Sequence, residues 1–530
     1  MSLPADHLIV APVVLPLAVS GAMLLLDERR HALKAGISVA TAVALLAVSV
    51  WLLHAAAASP GALAYRLGDW PAPYGIVLVV DRLSAAMLVL ASLLGLCALV
   101  YSLSRWNRAG PRFHALFLLL LMGVNGAFLT GDLFNLFVFF EVMLAASYGL
   151  VLHGSGEARI RAGLAYIAVN LVASLFFLIG VSLVYANTGT LTMADLARRL
   201  PLLGPAERTL FEVGAAFLGI TFLIKSSLWP LGFWLPPAYA AASAPAAAVL
   251  SILSKVGVYV VVRLSLLLFG AESGPSAGFG TQWLLAAGIA TLAFGTFGLL
   301  GARDLARAAA FAVMISSGTV LAALGTGSAA AVSGALFYLA GSTLAAATLF
   351  LLAEILQRGR DPAASATEAV FEDEDFDPFE ADETVAALDI PAIVALLGAA
   401  YFVCALMLAG LPPLAGFIGK LAILSGLAGA AAPAGPVAAS SWLLVGALLL
   451  SGLGTLIPLL RFGIFNFWVP SDGPSPALRT AEAAALAGLL AGCLGLSLWG
   501  GPALAYAEAT AHWLASPGAY VGAVLREAVP

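Results

Sequence analysis

The stretch 131–148, GDLFNLFVFFEVMLAASY, is an apolar run with one carboxylate, Glu141, near its middle. A run of this length is read as a membrane-spanning helix. A charge at mid-bilayer costs about 2.5–3.5 kcal/mol on insertion scales, so an acid held there calls for a function. The bland alternative is a carboxyl kept protonated, or one bonded to a neighbouring helix as glue.

Working outward, the rest of the chain has the same character. Its 530 residues are 62% hydrophobic and 10% charged, with a mean hydropathy of +1.02. These values exclude a water-soluble globular protein and imply an all-α polytopic membrane protein. Apolar runs predict fourteen spans, near 8–26, 34–54, 78–102, 113–130, 132–152, 162–186, 211–234, 244–267, 282–301, 304–325, 329–356, 391–428, 441–461 and 481–500. The twelfth is long and interrupted. The runs lack the alternation of a β-barrel, and Met1–Leu8 lacks the basic region of a cleaved signal peptide. Cys97, Cys404 and Cys493 lie singly in apolar runs and read as packing residues.

Loop charges set the expected orientation. If the fourteen spans hold, 14 basic residues, from Arg29, Arg30 and Lys34 through Arg461 and Arg479, share one side. The other side carries 7: Arg66, Arg82, Arg198, Arg199, Arg208, Arg263 and Arg526. The positive-inside rule makes the richer side cytoplasmic and puts both termini outside the cell membrane. The tract 361–389 holds 11 of the 29 acids and no base, so it reads as a solvated cytoplasmic loop. Phe465–Pro476 reads as an interfacial loop with aromatic anchors, and Thr190–Leu200 as a short surface helix with Thr192 as its cap. No phosphate loop, zinc spacing, dinucleotide fingerprint or Ser/His/Asp set appears. The chain is therefore expected to carry no cofactor or metal, to bind no nucleic acid and to perform no redox chemistry itself.

Lysine usage is the sharpest signal. Only four of the 24 basic residues are lysine, and three of them, Lys225, Lys255 and Lys420, fall inside predicted spans. Arginine stays protonated under all ordinary conditions, whereas a lysine removed from water can load and release a proton. Lys225 precedes Pro230, Pro236 and Pro237, and Lys420 follows Pro412 and Pro413, so both sit beside expected helix breaks. Irregular backbone at membrane depth is tolerated against protein or a water-filled cavity, and paired breaks in two halves mark ion sites. Two inverted five-helix repeats are thus expected, with helices 7 and 12 broken. The division is 1–112 for helices 1–3, 113–267 for the first repeat and 282–461 for the second with its acidic loop. Residues 481–530 form helix 14 and a tail.

At this point the chain resembles the proton-conducting antiporter-like subunits shared by respiratory NADH dehydrogenase and the multisubunit Mrp-type sodium/proton antiporters, and among these the D-type subunit of the Mrp complexes. The resemblance rests on DRLSAAML from Asp81, TGDLFNLFVFFEVMLAASY from Thr130, LIKSSLWPLGFWLPPAYA from Leu223, SILSKVGVY from Ser251, ALFYLAGSTLAAATLFLLA from Ala335 and LPPLAGFIGKL from Leu411. It implies that Glu141, Lys225, Lys255 and Lys420 match the family's charged midplane chain and transfer protons. It further implies that the chain works with other membrane subunits, moving H+ against Na+ or another monovalent cation. One departure is Gly341, which stands where related chains often carry histidine before Ser342 and Thr343, so the link between the halves would rest on water and hydroxyls or be broken. Two other classes stay open: a proton-pumping subunit of an NADH-quinone oxidoreductase or membrane-bound hydrogenase, and a scaffold or inorganic-carbon uptake subunit.

Overall fold

The computed structural model describes residues 6–360, 390–429, 439–467 and 477–525. The acidic tract 361–389 therefore lies outside the described residues, as do 468–476 of the expected interfacial loop. Its part up to Phe467 is helical.

The protein is an all-α polytopic membrane protein. Nineteen α-helices are described: α1 Ala11–Leu24, α2 His31–Ala58, α3 Arg82–Ser102, α4 Phe113–Leu129, α5 Leu133–Val151, α6 Glu157–Thr188, α7 Met193–Arg199, α8 Pro205–Lys225, α9 Leu235–Ala241, α10 Ala244–Leu268, α11 Thr281–Leu300, α12 Leu305–Leu324, α13 Ala329–Arg360, α14 Ile390–Ala409, α15 Ala415–Gly429, α16 Ala439–Phe467, α17 Thr480–Leu498, α18 Gly500–Leu514 and α19 Gly518–Leu525. Among the described residues, ten helical stretches are long and apolar enough to cross a membrane, and four shorter apolar helices accompany them. In lipid a helix satisfies its own backbone polar groups, which is why long apolar runs become helices throughout.

Each of the fourteen expected spans overlaps a helix or a broken pair, although residues 78–80 of the third form a β-strand and the broken seventh runs past the expected 234 to Ala241. The seventh is α8 followed by α9, with Trp229–Pro230 in the connecting segment, and the twelfth is α14 followed by α15, with Pro412–Pro413 between them. The seventh begins six residues before the expected 211, because Pro205 and Glu207 start the helix. The two halves share a packing order: α4 lies on α5 and α6 on α8, while α11 lies on α12 and α13 on α15. The centre of the bundle is α10, whose 18-residue apolar window is 100% buried, with α12 and α13 beside it at 89% each.

Aspartate caps fix several helix starts. Asp81 Oδ1 accepts from Ser84 N at 2.9 Å before α3, Asp132 Oδ1 from Asn135 N at 2.9 Å before α5, and Asp304 Oδ1 from Arg307 N at 2.7 Å before α12. Thr192 stands at the expected cap of α7, but its hydroxyl donates to Pro73 O at 3.1 Å instead of serving the helix. That bond helps seat α7 on a small antiparallel hairpin, β1 Leu63–Arg66 with β2 Val77–Val80. Gly131 joins the same layer: its N–H donates to Val77 O, and its carbonyl accepts from Met193 N, both at 2.9 Å.

The connections gather at two ends. At one, the hairpin, α7 and the tail meet, with Arg66 donating to Val524 O at 3.1 Å and Tyr506 to Arg82 O at 2.8 Å. At the other, Trp106 meets Glu354, Arg159 donates to Ala241 O at 2.9 Å, Arg461 donates to Ala302 O at 3.0 Å, and Arg479 bonds Ser104 O. Many of the bases counted for the loops lie within helices, near their ends, and two of them are buried. Lys34 lies in α2, buried and paired with Glu28 at 2.8 Å. Arg263 lies inside α10, where its Nη1 is 2.5 Å from Asp81 Oδ2 and its guanidinium lies over the rings of Tyr259 and Tyr520. A 4%-exposed guanidinium is tolerable there because the carboxylate comes with it. Cys97, Cys404 and Cys493 are buried and unbridged.

Candidate functional site

Glu141 lies on α5 and is half-buried. It shares a helical stripe with Phe134 and Val138, which are 52% and 43% exposed, so this stripe looks away from the bundle. One carboxylate oxygen accepts from Ser174 Oγ of α6 at 2.5 Å.

Lys225 is the last residue of α8. The chain leaves the helix there because Ser227 takes a left-handed conformation, φ 62°, and Pro230 follows. The buried amine has no hydrogen-bond partner and lies 5.0 Å from the ring centroid of Phe140, the residue before Glu141. Glu141 and Lys225 are therefore neighbours across α5 without forming an ion pair. The break itself presses on α10: a Cβ on Gly257 would stand 2.7 Å from Ser226 Oγ.

Lys255, fully buried on α10, donates from Nζ to Ser317 Oγ at 2.9 Å and to Val313 O at 3.0 Å, both on α12. Next along α12, Ser316 Oγ shares a hydrogen bond of 2.7 Å with Ser342 Oγ of α13. Gly341, beside Ser342, leaves space that a Cβ would fill to within 3.1 Å of Met407 Cε. A hydroxyl pair thus spans α12 and α13 beside Gly341.

Lys420 on α15 mirrors Lys225 on the other side of a break. Its Nζ donates to Ala409 O at 2.8 Å and Leu408 O at 3.4 Å, the last carbonyls of α14, and lies 5.9 Å from the ring centroid of Tyr338. A helix C-terminus carries partial negative charge and unsatisfied carbonyls, so it is a natural seat for an ammonium. Gly410, at φ +78°, and Gly452 of α16 leave room for the amine.

The three lysines and Glu141 are thus distributed over α5, α8, α10 and α15, each with a separate local seat. Sequence reasoning found the charged groups and the breaks. It named Ser342 as part of a hydroxyl link between the halves but missed Ser316, its partner, and also Ser174 and Ser317, whose signal was a hydroxyl in an otherwise apolar run. It also missed the buried Asp81–Arg263 pair. Among the described residues no cluster of His, Cys, Asp and Glu is arranged to hold a metal ion.

Comparison with known proteins places this architecture. Residues 130–449 match the family model described as NADH:quinone oxidoreductase/Mrp antiporter, TM. The D-type subunit of a probable K(+)/H(+) antiporter from Rhizobium meliloti is 52% identical over 519 residues, covering 97% of this chain and 96% of the relative. The D-type subunit of the Na(+)/H(+) antiporter from Bacillus subtilis is 32% identical over 531 residues, covering 98% and 100%. A chain in the structure of the Mrp complex from Dietzia sp. superposes with a TM-score of 0.82 at 25% identity, covering 99% of this chain and 100% of that one.

Proposed function

This chain belongs to the NADH:quinone oxidoreductase/Mrp antiporter family, with the D-type subunits of Mrp antiporters among its relatives, and from that premise we propose that it moves protons through Glu141, Lys225, Lys255 and Lys420 in exchange for a monovalent cation. It is a transporter subunit and not an enzyme. The observation that carries the mechanism is the seating of the lysines. Lys225 has no hydrogen-bond partner, Lys255 holds a hydroxyl and a carbonyl, and Lys420 holds two carbonyls. None of the three amines faces a carboxylate within ion-pair distance, so each can exist neutral, and an incoming proton changes its bonding.

Glu141 is the group from which Lys225 is charged or discharged. The amine lies against Phe140, the neighbour of Glu141 on α5, and Glu141 is held by Ser174, so the exchange calls for a rearrangement of one or both side chains. Between the halves, Ser317, Ser316 and Ser342 supply hydroxyls that pass a proton with the help of water. The repeats are residues 113–267 and 282–461. Five crossings are an odd number, so the second repeat enters from the opposite side and the two are inverted.

Potassium is the first reading of the cation, because the relative at 52% identity is named as part of a K(+)/H(+) antiporter; sodium is the second, from the B. subtilis relative. Other membrane subunits complete the complex. The outward stripe of Phe134, Val138 and Glu141 is a surface for one of them, since a carboxylate left against lipid is costly. The protein lies in the cell membrane with the Arg105, Arg159 and Arg461 end in the cytoplasm and the hairpin, α7 and tail end outside. The test is proton flux in vesicles carrying the whole complex, driven by potassium or by sodium. Flux that responds to neither cation would refute the exchange reading.

A further inference from the structure

Away from the lysines, a polar cavity of about 330 Å³ lies at the Arg-rich end of the bundle. Its walls are the Arg105–Trp106 corner, the start of α6 at Arg159 and the end of α13 at Glu354 and Arg358; its floor is the junction of α9 with α10. Ser243 stands at the N-cap of α10, where a serine hydroxyl ordinarily accepts from the second or third helical N–H. It makes no such bond, and the residue at the second position is Pro245, which has no N–H. The hydroxyl is 1% exposed, lines the cavity and has no hydrogen-bond partner. Leaving a buried hydroxyl unmatched costs about 1–3 kcal/mol, so its orientation needs a reason.

Charge decides what the cavity can take. Three guanidiniums, those of Arg105, Arg159 and Arg358, line it with one carboxylate, that of Glu354; Arg358 is also paired with buried Glu482 at 2.7 Å, so the excess charge is that of one guanidinium, at the Arg105 and Arg159 side. The N-terminus of a 25-residue helix adds about half a positive charge and amides that the helix cannot satisfy. Glu354 is engaged on its own wall: Trp106 Nε1 donates to its two oxygens at 2.8 and 3.0 Å, and Arg358 Nε lies 3.9 Å away. Arg159 and Arg105 stack on Trp106, at 4.9 and 5.2 Å from the ring, which holds both guanidiniums at the rim. A cation entering here meets net repulsion. A phosphate meets arginine forks, a fixed hydroxyl and helix-terminal amides, the donor set that recognises it elsewhere.

We propose that this cavity binds a phosphate group, with Ser243 Oγ and the first turn of α10 as fixed donors and Arg105 and Arg159 as the charged rim. The source is the headgroup of an anionic phospholipid or free inorganic phosphate. The purified complex, stripped of lipid and carried in neutral detergent, is titrated with phosphatidylglycerol, with phosphatidylcholine and with inorganic phosphate, reading bound lipid by native mass spectrometry and melting temperature in parallel. Phosphatidylglycerol is expected to bind about tenfold or more tighter than phosphatidylcholine, with Ser243→Ala and Arg105→Gln each weakening it by about tenfold. Ser243→Ala removes an oxygen bonded to nothing in the protein, so it leaves the fold intact. A stabilising response to millimolar phosphate that both variants lose assigns the free anion; a response to phosphatidylglycerol alone assigns the lipid. No preference over phosphatidylcholine together with no phosphate response overturns the site. So does a loss confined to Arg105→Gln, which would reflect surface charge alone.

Discussion

Gly410 and Lys420 are fitted to one another: a Cβ on Gly410 would stand 2.5 Å from Lys420 Cδ and 3.0 Å from its Nζ. The left-handed turn that ends α14 and the amine that seats on its last carbonyls are therefore one unit. Gly410→Ala meets both a backbone cost of about 1–2 kcal/mol and a displaced lysine stem. The expected result is a lowered melting temperature of the complex and loss of most cation-driven proton flux. Gly452→Ala, whose Cβ would stand 3.5 Å from the same Nζ and 3.0 Å from Ala409 O, is expected to be milder on both measures. Wild-type melting and flux in Gly410→Ala would mean that the seat is unimportant.

Lys255 offers a cleaner separation of chemistry from packing. Lys255→Met keeps the length of the side chain and removes the titratable amine, so expression should hold while flux disappears. Ser317→Ala deletes one of the two partners and leaves Val313 O, so flux should fall several-fold without vanishing. Flux measured at matched protein level checks both, and a conducting Lys255→Met would remove this residue from the path.

Asp81 and Arg263 test stability in place of transport. Their contact of 2.5 Å is buried, and Asp81 also caps α3 through Ser84. Removing one partner, as in Arg263→Met, should cost about 3–5 kcal/mol because it strands a buried charge. Arg263→Met with Asp81→Asn should recover much of that loss, since the amide oxygen can still cap the helix. Thermal unfolding of Arg263→Met, Asp81→Asn and the double variant gives the coupling, and a double-variant loss equal to the sum of the two single losses would show that the pair is not coupled.

The spans were legible because a membrane leaves the chain one solution for its backbone, and runs such as 244–267 or 441–461 carry that demand in composition alone. The breaks were legible because proline cannot donate, and lysine stood out against twenty arginines. What was not legible depends on contacts distant in sequence. Arg263 reads as the edge of a run until Asp81, 182 positions earlier, is seen beside it. The hairpin at 63–80 and helices α18 and α19 are short and only partly apolar, and docking on α7, α3 and α13 defines them. Ser174 and Ser317 give no sign in the sequence of which charged group they hold.

Glu141 carries the decisive prediction. Its carboxylate lies on the outward stripe of α5, held by Ser174 at 2.5 Å, and the unpartnered amine of Lys225 lies 5.0 Å from the ring of the preceding residue, Phe140. If it exchanges protons with that amine, Glu141→Gln abolishes flux, because an amide cannot take up or release the proton. Glu141→Asp retains part of the flux, since a titratable group remains one methylene back. A purely structural glutamate predicts the reverse order: the amide keeps the shape and the bond from Ser174, while the shorter acid loses its reach. Ser174→Ala separates the two further. It should lower flux several-fold if the hydroxyl positions a working carboxylate, and the loss should appear with unchanged melting of the complex. Cation-driven proton flux for the three variants decides the order, and near-normal flux in Glu141→Gln would sink the mechanism.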